Sequence, residues 1–293
     1  MAINYASKYS TKVDEAFSRE AQSGLVTNSE YEFTGVKTVN VYSLPTVAMT
    51  DYTRSGSNRY GTPSDLQDNV QTMTVSKDRS FTFTIDKGDK LQTQMVHDAG
   101  RALARETRLV VIPEVDTYVF DKIARAAFAN GHTSATAATK ANAYELFLAA
   151  QEALGDDNVP DGGRVCLCSY RFANLLKQDP AFMRDSDKGQ ENLIRGIMGM
   201  VDGVRIVRVP ASRLPTGCSF ILAHPMATVK VQQLKDYKTH DNPPGINGWL
   251  VEGRVIYDAF VLDNKKNALW YQGTAFASSS SGTGNGGGTG GGG

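Results

Sequence analysis

The sequence lacks an excess of charge, a long apolar run and all but a few cysteines. Its 31 basic residues balance 31 acidic ones, so the chain as a whole has no electrostatic attraction to nucleic acid or to an anionic membrane. No apolar segment approaches the roughly 20 residues that a membrane helix needs, and the first residues lack the apolar stretch of a secretion signal. We therefore expect no membrane partner and a chain that stays in the cytoplasm where it is made.

Three cysteines, Cys166, Cys168 and Cys218, are too few for a disulfide framework. Cys166 and Cys168 alternate in a predicted strand, which directs both side chains to one face. One interpretation is a three-thiolate metal site completed by a histidine, as in a soluble metal-dependent enzyme. The other is a group of small buried apolar residues. We favour the second, because zinc sites usually use Cys-x-x-Cys turns rather than Cys-x-Cys within a strand.

Motifs of catalysis and of cofactor binding are also missing. The four histidines lie in separate segments with no recognisable motif around them, and no glycine-rich phosphate-binding loop is present. We therefore predict no catalytic residue, no cofactor and no bound metal. The composition, 41% hydrophobic over 293 residues, still provides a packed core, so we expect the function to lie in surfaces rather than in a cleft.

The most informative segment is the extended, polar stretch 36–90. Residues 36–44 are typical of a strand, and 71–76 and 80–86 alternate in polarity, as expected of half-buried strands. Residues 77–79 are typical of a turn, so 71–76 and 80–86 are predicted to be the two strands of a hairpin. Because an isolated hairpin cannot bury its apolar face, we expect another chain to cover it, which favours assembly as the function.

An irregular stretch at 51–63 carries tyrosines and arginines together. These side chains could stack on and pair with nucleic acid, but aspartates flank them, and the same residue types are enriched at the energetic centres of protein interfaces. We favour contact with a neighbouring protein chain. We include Lys77 and Arg79, the two basic residues of the predicted turn, among the residues that make this contact. The candidates for the subunit interface are Tyr52, Arg54, Arg59, Tyr60, Lys77 and Arg79.

Beyond this stretch the spacing becomes helical. A helix from 91 is predicted to end at Pro113, and a second, from 114 to 129, is predicted to close at Asn130 and Gly131, which gives a bent spine. The rest mixes helices and strands without a regular βαβ order, so we predict the α+β class. Helices are predicted at 144–154, 170–178 and 193–200, and strands at 164–169, 203–209, 218–223, 228–234, 249–262 and 268–271.

Both ends of the chain are predicted to lie outside the packed core. Residues 1–35 have near-helical spacing of a few apolar residues in an otherwise loose arm. Residues 277–293 are almost entirely glycine, serine and threonine and are typical of a flexible linker or tail.

This order of elements, together with several local motifs, resembles the major capsid proteins of tailed bacteriophages, which have the Hong Kong 97-type fold. The resemblance covers nearly all of residues 1–276. The motifs that carry it are Met1-Ala-Ile-Asn-Tyr-Ala-Ser-Lys-Tyr9, Thr38-Val-Asn-Val-Tyr-Ser43, Asp51-Tyr-Thr-Arg-Ser-Gly56, Arg59-Tyr-Gly61, Lys77-Asp-Arg-Ser-Phe-Thr-Phe-Thr-Ile-Asp86, Val111-Ile-Pro-Glu-Val-Asp-Thr-Tyr118 and Tyr257-Asp-Ala-Phe-Val-Leu-Asp-Asn-Lys265.

The resemblance implies a division of the chain into named parts. They are an N-terminal arm (1–35), an extended loop (36–90), the spine helix of a peripheral domain (91–132), an axial domain (133–229), C-terminal strands of the peripheral domain (230–276) and the flexible tail (277–293). One chain would occupy inequivalent positions, so hinges are required. Pro113 and Gly131 are the candidates.

The resemblance also implies a function and partners. The chain would be a structural protein, not an enzyme, that forms hexamers and pentamers of an icosahedral shell around double-stranded phage DNA, assembled in the bacterial host cytoplasm and found in the virion capsid. Its other partners would be a portal protein, a separate scaffold protein and possible decoration proteins. Some members join subunits by a Lys to Asn isopeptide bond, for which Lys77, Lys87 or Lys90 with Asn264 or Asn267 are candidates. An encapsulin-like compartment that holds an enzyme cargo is the alternative within the same fold.

Overall fold

The computed structural model describes residues 21–28, 30–31, 37–43, 46–63, 65, 69–87, 99–180, 182, 199–274 and 276. Four sequence predictions therefore lie outside the described residues, in whole or in large part: the helical spacing in the arm, the helix start at 91–98, the helix at 193–200 and the tail.

The α-helices and the π-helical turn of the described residues are α1 (Ala99–Glu106), the π-helical turn (Thr107–Val111), α2 (Ile112–Ala129), α3 (Ala143–Asp156) and α4 (Tyr170–Gln178). Four short 3-10 helices in the same part of the chain that the structure describes span Ser23–Leu25, Ala211–Arg213, Pro225–Ala227 and Asp263–Ala268. The strands are β1 (Thr38–Ser43), β2 (Asn69–Thr74), β3 (Lys77–Asp86), β4 (Thr133–Ser134), β5 (Val165–Ser169), β6 (Met200–Val201), β7 (Val204–Val209), β8 (Cys218–Ala223), β9 (Thr228–Asp241), β10 (Gly248–Val261) and β11 (Leu269–Gly273).

These strands form three sheets of the described chain. β1 and β2 make a two-stranded ribbon, β3, β10 and β9 a three-stranded sheet, and β4, β11, β8, β5, β7 and β6, in that order, a six-stranded sheet. The six-stranded sheet is mixed, because β5 runs parallel to β7 but antiparallel to β8. Helices and sheets are thus combined without a repeated βαβ order, and the predicted α+β class is confirmed.

The predicted hairpin within 71–86 is wrong. β2 pairs with β1, where Ser43 lies opposite Asn69, whereas β3 pairs with β10, where Lys77 lies opposite Tyr257. Residues 77–79 are therefore strand rather than turn. The cause lies between the strands, where the backbone N–H and the hydroxyl of Ser76 both donate to Asp258 Oδ2 at 2.8 Å, so the chain continues into a second sheet instead of reversing. β3 therefore has its strand partner, β10, within its own chain.

The helix does not end at Pro113, so that prediction is also wrong. The backbone stays right-handed helical from Glu106 through Ile112, and Ile112 N donates to Thr107 O in a π-helical bond. Proline has no N–H for the usual bond to the carbonyl four residues earlier. A wider turn directly before it lets the helix continue, and such π segments are common sites of helix kinks.

The predicted helix end at Gly131 is confirmed. Gly131 has a φ of +78°, its N–H donates to Phe128 O, and the N–H of His132 donates to Ala127 O. These two bonds are those of a Schellman motif, which requires a left-handed residue and therefore favours glycine. The cap fixes the direction in which the chain leaves α2 for β4.

β9 is longer than the predicted 228–234. Its polar second half pairs residue by residue with β10, and Asp241 lies opposite Trp249. The two strands are joined by a turn with positive φ at Asn242 and Gly245. Polar residues there remain in a strand because β10 supplies the hydrogen bonds, which overrides weak local strand propensity.

The core lies on both faces of the six-stranded sheet. Alternate residues of β5 and β8 point to opposite faces, so Leu167 and Ile221 pack with α2, whereas Cys166 and Leu222 pack with α3 and α4. A third, smaller cluster joins the ribbon to the body and contains Met73, Val75, Val229, Val231 and Leu262. Among the described residues, no helix is long and apolar enough to cross a membrane.

Candidate assembly surfaces

The ribbon, which we define as residues 38–74, exposes a group of large apolar side chains. Met49 is 99% exposed and Tyr60 is 87% exposed, values that are unusual for side chains whose burial is favourable. Exposed apolar side chains that lie in contact with one another, as Tyr52 and Tyr60 do, are typical of interaction sites. The large apolar side chains exposed along the described part of the ribbon are Tyr42, Val47, Met49, Tyr52, Tyr60 and Val70.

The outer part of the ribbon has its own internal structure. The rings of Tyr52 and Tyr60 meet edge to face with centroids 5.0 Å apart, a favourable aromatic geometry. Thr53 N donates to Arg59 O at 3.1 Å and Thr50 Oγ1 donates to Tyr60 O at 3.2 Å. The structure therefore brings together four of the six predicted interface residues in one local fold.

The two arginines of this loop are available for an external partner. Arg59 Nε donates to Gly56 O at 3.3 Å, and among the described residues neither Arg54 nor Arg59 forms an ion pair. Both residues are exposed and lie beside the tyrosine pair. An exposed guanidinium next to aromatic rings suits a carboxylate or a backbone carbonyl on another surface.

Lys77 and Arg79 lie elsewhere, at the junction of β3 with α2. Arg79 Nε lies 2.8 Å from Glu114 Oε1, and Lys77 Nζ lies 5.2 Å from the centre of the Tyr118 ring. These contacts hold the strand to the helix within one chain. An interface role for either residue stays a prediction, and the two do not share a surface patch with the tyrosine pair.

Asp258 links the segment before β3 to α2 through hydrogen bonds. It is buried and accepts hydrogen bonds from Ser76 and, at 2.8 Å, from Tyr118 Oη. Burial, together with the hydrogen bond to Asp258, raises the pKa of Tyr118 to about 12. Burial and the hydrogen bond to Glu114 likewise raise the pKa of Tyr257. Both phenols therefore stay neutral donors far into the alkaline range.

Asp116 is a second organising residue that the sequence interpretation missed. Its carboxylate is fully buried and accepts from Gln22 N at 3.0 Å, from Ser23 N at 3.1 Å and from Arg213 Nη1 at 2.9 Å. It thus holds the N-terminal segment and the loop after β7 against α2. The available signal was a carboxylate beside Val115 on the predicted inward face of a helix, where an unpaired charge is costly.

The three cysteines lie in or against the core. Cys166 and Cys168 are buried and Cys218 is partly buried. Burial raises the pKa of Cys166 well above its usual value and the pKa values of Cys168 and Cys218 to about 12, so the three side chains are neutral thiols in this environment. Among the described residues, no group of three His, Cys, Asp or Glu side chains has metal-binding geometry.

Two of the candidates for a covalent cross-link, Asn267 and Lys87, have hydrogen-bond partners within the chain. Asn267 Nδ2 donates to Asp157 Oδ1 at 3.0 Å, and its Oδ1 accepts from Asn130 Nδ2 at 2.8 Å. Lys87 Nζ donates to Asn242 Oδ1 at 2.6 Å. Lys90 lies outside the described residues, and the cross-link stays a prediction.

The structure is similar to solved phage structures. A chain from Mycobacterium phage Che8 has a TM-score of 0.75 and 19% identity, covering 92% of this chain and 98% of that one. The capsid of cyanophage P-SCSP1u gives 0.71 and 15%, covering 93% and 94%, and the mature capsid of bacteriophage PhiM1 gives 0.69 and 14%, covering 92% of both chains. No family model and no curated protein matches the sequence.

The fold is thus that of phage capsid subunits, and it extends over nearly the whole chain. More particularly, the fold is of the Hong Kong 97 type, as predicted from the sequence. It consists of the ribbon, the helical segment made of α1, the π-helical turn and α2, and the two larger sheets. Because the identities are below 20%, the likeness establishes the fold, and the function needs its own argument.

Proposed function

We propose that this protein is the major capsid protein of a tailed phage and that it has a structural role without enzymatic activity. The observation that carries the proposal is the likeness to capsid structures over more than 90% of this chain and of those chains. A match of this extent leaves little of the chain for an additional domain. The exposed apolar side chains of the ribbon support a function in contacts between copies.

In this proposal the parts of the chain take the roles implied by the fold. The ribbon is the extended loop, which lies over an adjacent subunit, and α1, the π-helical turn and α2 belong to the spine helix. The three-stranded sheet belongs to the peripheral domain and most of the six-stranded sheet to the axial domain. β11, which had been assigned to the peripheral part, pairs with β8 in the six-stranded sheet.

Assembly would produce hexamers and pentamers that close into an icosahedral shell. The ribbon of one copy would cover apolar surface on the next, while Arg54 and Arg59 would contact acidic groups there. Pro113, next to the π-helical turn, is the better hinge candidate, because π segments interrupt the regular helical ladder. Gly131 is held by two hydrogen bonds of the helix cap, which makes it the weaker candidate.

The same proposal includes the remaining partners. The shell would enclose double-stranded DNA, contacted without sequence specificity, and would meet a portal protein, a scaffold protein and any decoration protein. The assembly would take place in the host cytoplasm and the product would be the virion capsid. These partners follow from the proposed class of protein and have no dedicated site among the residues described above.

The first test is electron microscopy and size-exclusion chromatography of the purified protein, with and without a phage lysate as a source of scaffold. We expect closed shells, or rings of five and six subunits. A protein that stays monomeric under both conditions would contradict the proposal. Particles filled with a cargo protein rather than DNA in the native host would favour the encapsulin-like compartment.

A further inference from the structure

The ribbon is attached to the body along the inward side of β2. Met73 and Val75 point inward and are buried against Val229, Val231 and Leu262. Such apolar contacts are favourable but have no directional preference. They hold the base of the ribbon to the body without fixing the angle at which it leaves.

Gln71, the next inward residue of β2, makes the directional contact. Its Nε2 donates to Val261 O at 2.8 Å and its Oε1 accepts from Asp263 N at 3.1 Å. The planar amide therefore pairs with the body backbone at the last residue of β10 and two residues after it. Two simultaneous bonds to one planar group, each with its own angular requirement, fix the orientation of that group.

In the part of the ribbon that the structure describes, no residue beyond Gln71 is given a hydrogen bond to the body. In residues 46–63, every hydrogen bond that the structure gives joins two residues of that same stretch. The exposed tyrosines and arginines thus lie on an extended segment. Among the described residues, the outermost hydrogen bonds between that segment and the body are those of the Gln71 amide. A small change of angle at this attachment becomes a large displacement at the outer end.

We propose that Gln71 is a positioning residue that sets the direction of the ribbon relative to the body and so determines how accurately it meets the next copy. This inference rests on the proposed function for its consequence in assembly, but not for its effect on the ribbon. The cavity between the ribbon and the loop after β10, lined in part by Val41, Tyr42 and Asn264, gives the ribbon room to move when the amide bonds are lost.

The test uses three variants of the full chain. Gln71→Glu keeps the size but places a carboxylate against Val261 O, which it cannot donate to. Gln71→Met keeps apolar packing and removes both bonds. Asn40→Asp is the matched control, because it makes the same change of charge on the exposed face of the ribbon, where Asn40 Oδ1 accepts from Thr72 and a carboxylate can do the same.

The first readout is the distance distribution between spin labels at Ser57→Cys and Ser212→Cys, both exposed, in a Cys218→Ser background and with the protein unassembled. We expect the wild type and Asn40→Asp to give the same distribution. We expect both Gln71 variants to give one at least about twofold broader, because Gln71→Met loses both bonds and Gln71→Glu replaces the bond to Val261 O with a repulsion between two oxygens. Equal widths in all four proteins would overturn the inference.

The second readout is the uniformity of assembled particles. Both Gln71 variants are expected to give mostly open or irregular assemblies, while Asn40→Asp gives uniform shells. Broad distance distributions with normal shells would overturn the positioning role. If the wild type itself never assembles, the proposed function fails, and the assembly consequence fails with it. The distance measurement still decides whether Gln71 directs the ribbon.

Discussion

Asp116 is the residue whose loss should cost this fold most stability. It is fully buried and faces the buried guanidinium of Arg213, and two backbone N–H groups of the N-terminal segment depend on it. Removing one member of a buried ion pair typically costs about 3–5 kcal/mol. We therefore expect Asp116→Ala to lower the free energy of unfolding by about this amount in urea titrations.

The control for this prediction is Asp121→Ala. Asp121 pairs with Arg125 at 2.7 Å on the exposed side of α2, and exposed pairs of this spacing contribute about 0.3–0.5 kcal/mol. Similar losses of stability in the two variants would mean that the burial of Asp116 does not have the predicted effect.

The raised pKa of Tyr118 predicts that the free energy of unfolding falls at alkaline pH. Its pKa is raised to about 12 in the folded protein, by burial first and by Asp258 second, against about 10 in an unfolded chain. A raised folded pKa gives stability that is fully present below pH 10 and is lost as the pH rises from 10 through 12. The free energy of unfolding should therefore fall over this range in urea titrations.

Tyr118→Phe tests the assignment of this alkaline effect. The variant cannot ionise at this position, so its stability should be lower than that of the wild type at pH 8 but should decline less steeply between pH 10 and 12. Burial also raises the pKa of Tyr271 to about 12, so part of the decline should remain. Identical pH slopes in the two proteins would rule out Tyr118 as a contributor.

Two glycines close to helix C-termini, one beyond the last helical residue and one within the last turn, should respond oppositely to alanine. Gly131 has a φ of +78° and Gly155 lies within α3, and a Cβ would find open space at both. Any difference therefore reflects backbone conformation alone. Gly131→Ala should destabilise by about 1 kcal/mol, whereas Gly155→Ala should stabilise by about 0.5–1 kcal/mol, as glycine is a poor helix former.

Thermal unfolding of the two glycine variants provides the measurement. Opposite shifts of the melting temperature are expected, and shifts of the same sign would contradict the backbone argument. The variants also bear on the hinge, since unchanged shell assembly by Gly131→Ala would leave Pro113 and the π-helical turn as the candidate. Element boundaries of this kind were predictable because capping is local, as the Asn130 and Gly131 pair illustrates.

The interface hypothesis for the ribbon concerns the whole assembly. Arg54→Ala combined with Arg59→Ala should leave the monomer's melting temperature unchanged, because neither residue has an ion pair among the described residues. We expect fewer shells, with greater sensitivity to salt, since the remaining contacts between copies would be mainly apolar. The measurement is particle yield by sedimentation over a series of salt concentrations.

Arg205→Ala is the control for this pair, since Arg205 is also exposed but lies on β7, away from the ribbon. The control should assemble like the wild type. Unchanged yield and salt tolerance in the double variant would refute the role of Arg54 and Arg59 while leaving the apolar side chains of the ribbon in place.

The sequence alone determined the local features of this protein. Short strand-like runs predicted β1, β5 and β8, and alternation predicted β7. Helical spacing with glycine and proline near the ends predicted α2, α3 and α4, and the sequence also showed Tyr52, Arg54, Arg59 and Tyr60 in one stretch. These features were readable because hydrogen bonds and side-chain direction within a helix or strand depend on near neighbours.

The tertiary structure alone decided which elements meet. A period of two shows the faces of a strand but not its partner, so the pairing of β2 with β1 and of β3 with β10 could not be read from alternation. The same holds for Asp116 with Arg213, 97 residues apart, and for Gln71 with Val261, 190 residues apart. Such contacts form only when packing of the body brings distant segments together, and this packing also sets the direction of the ribbon.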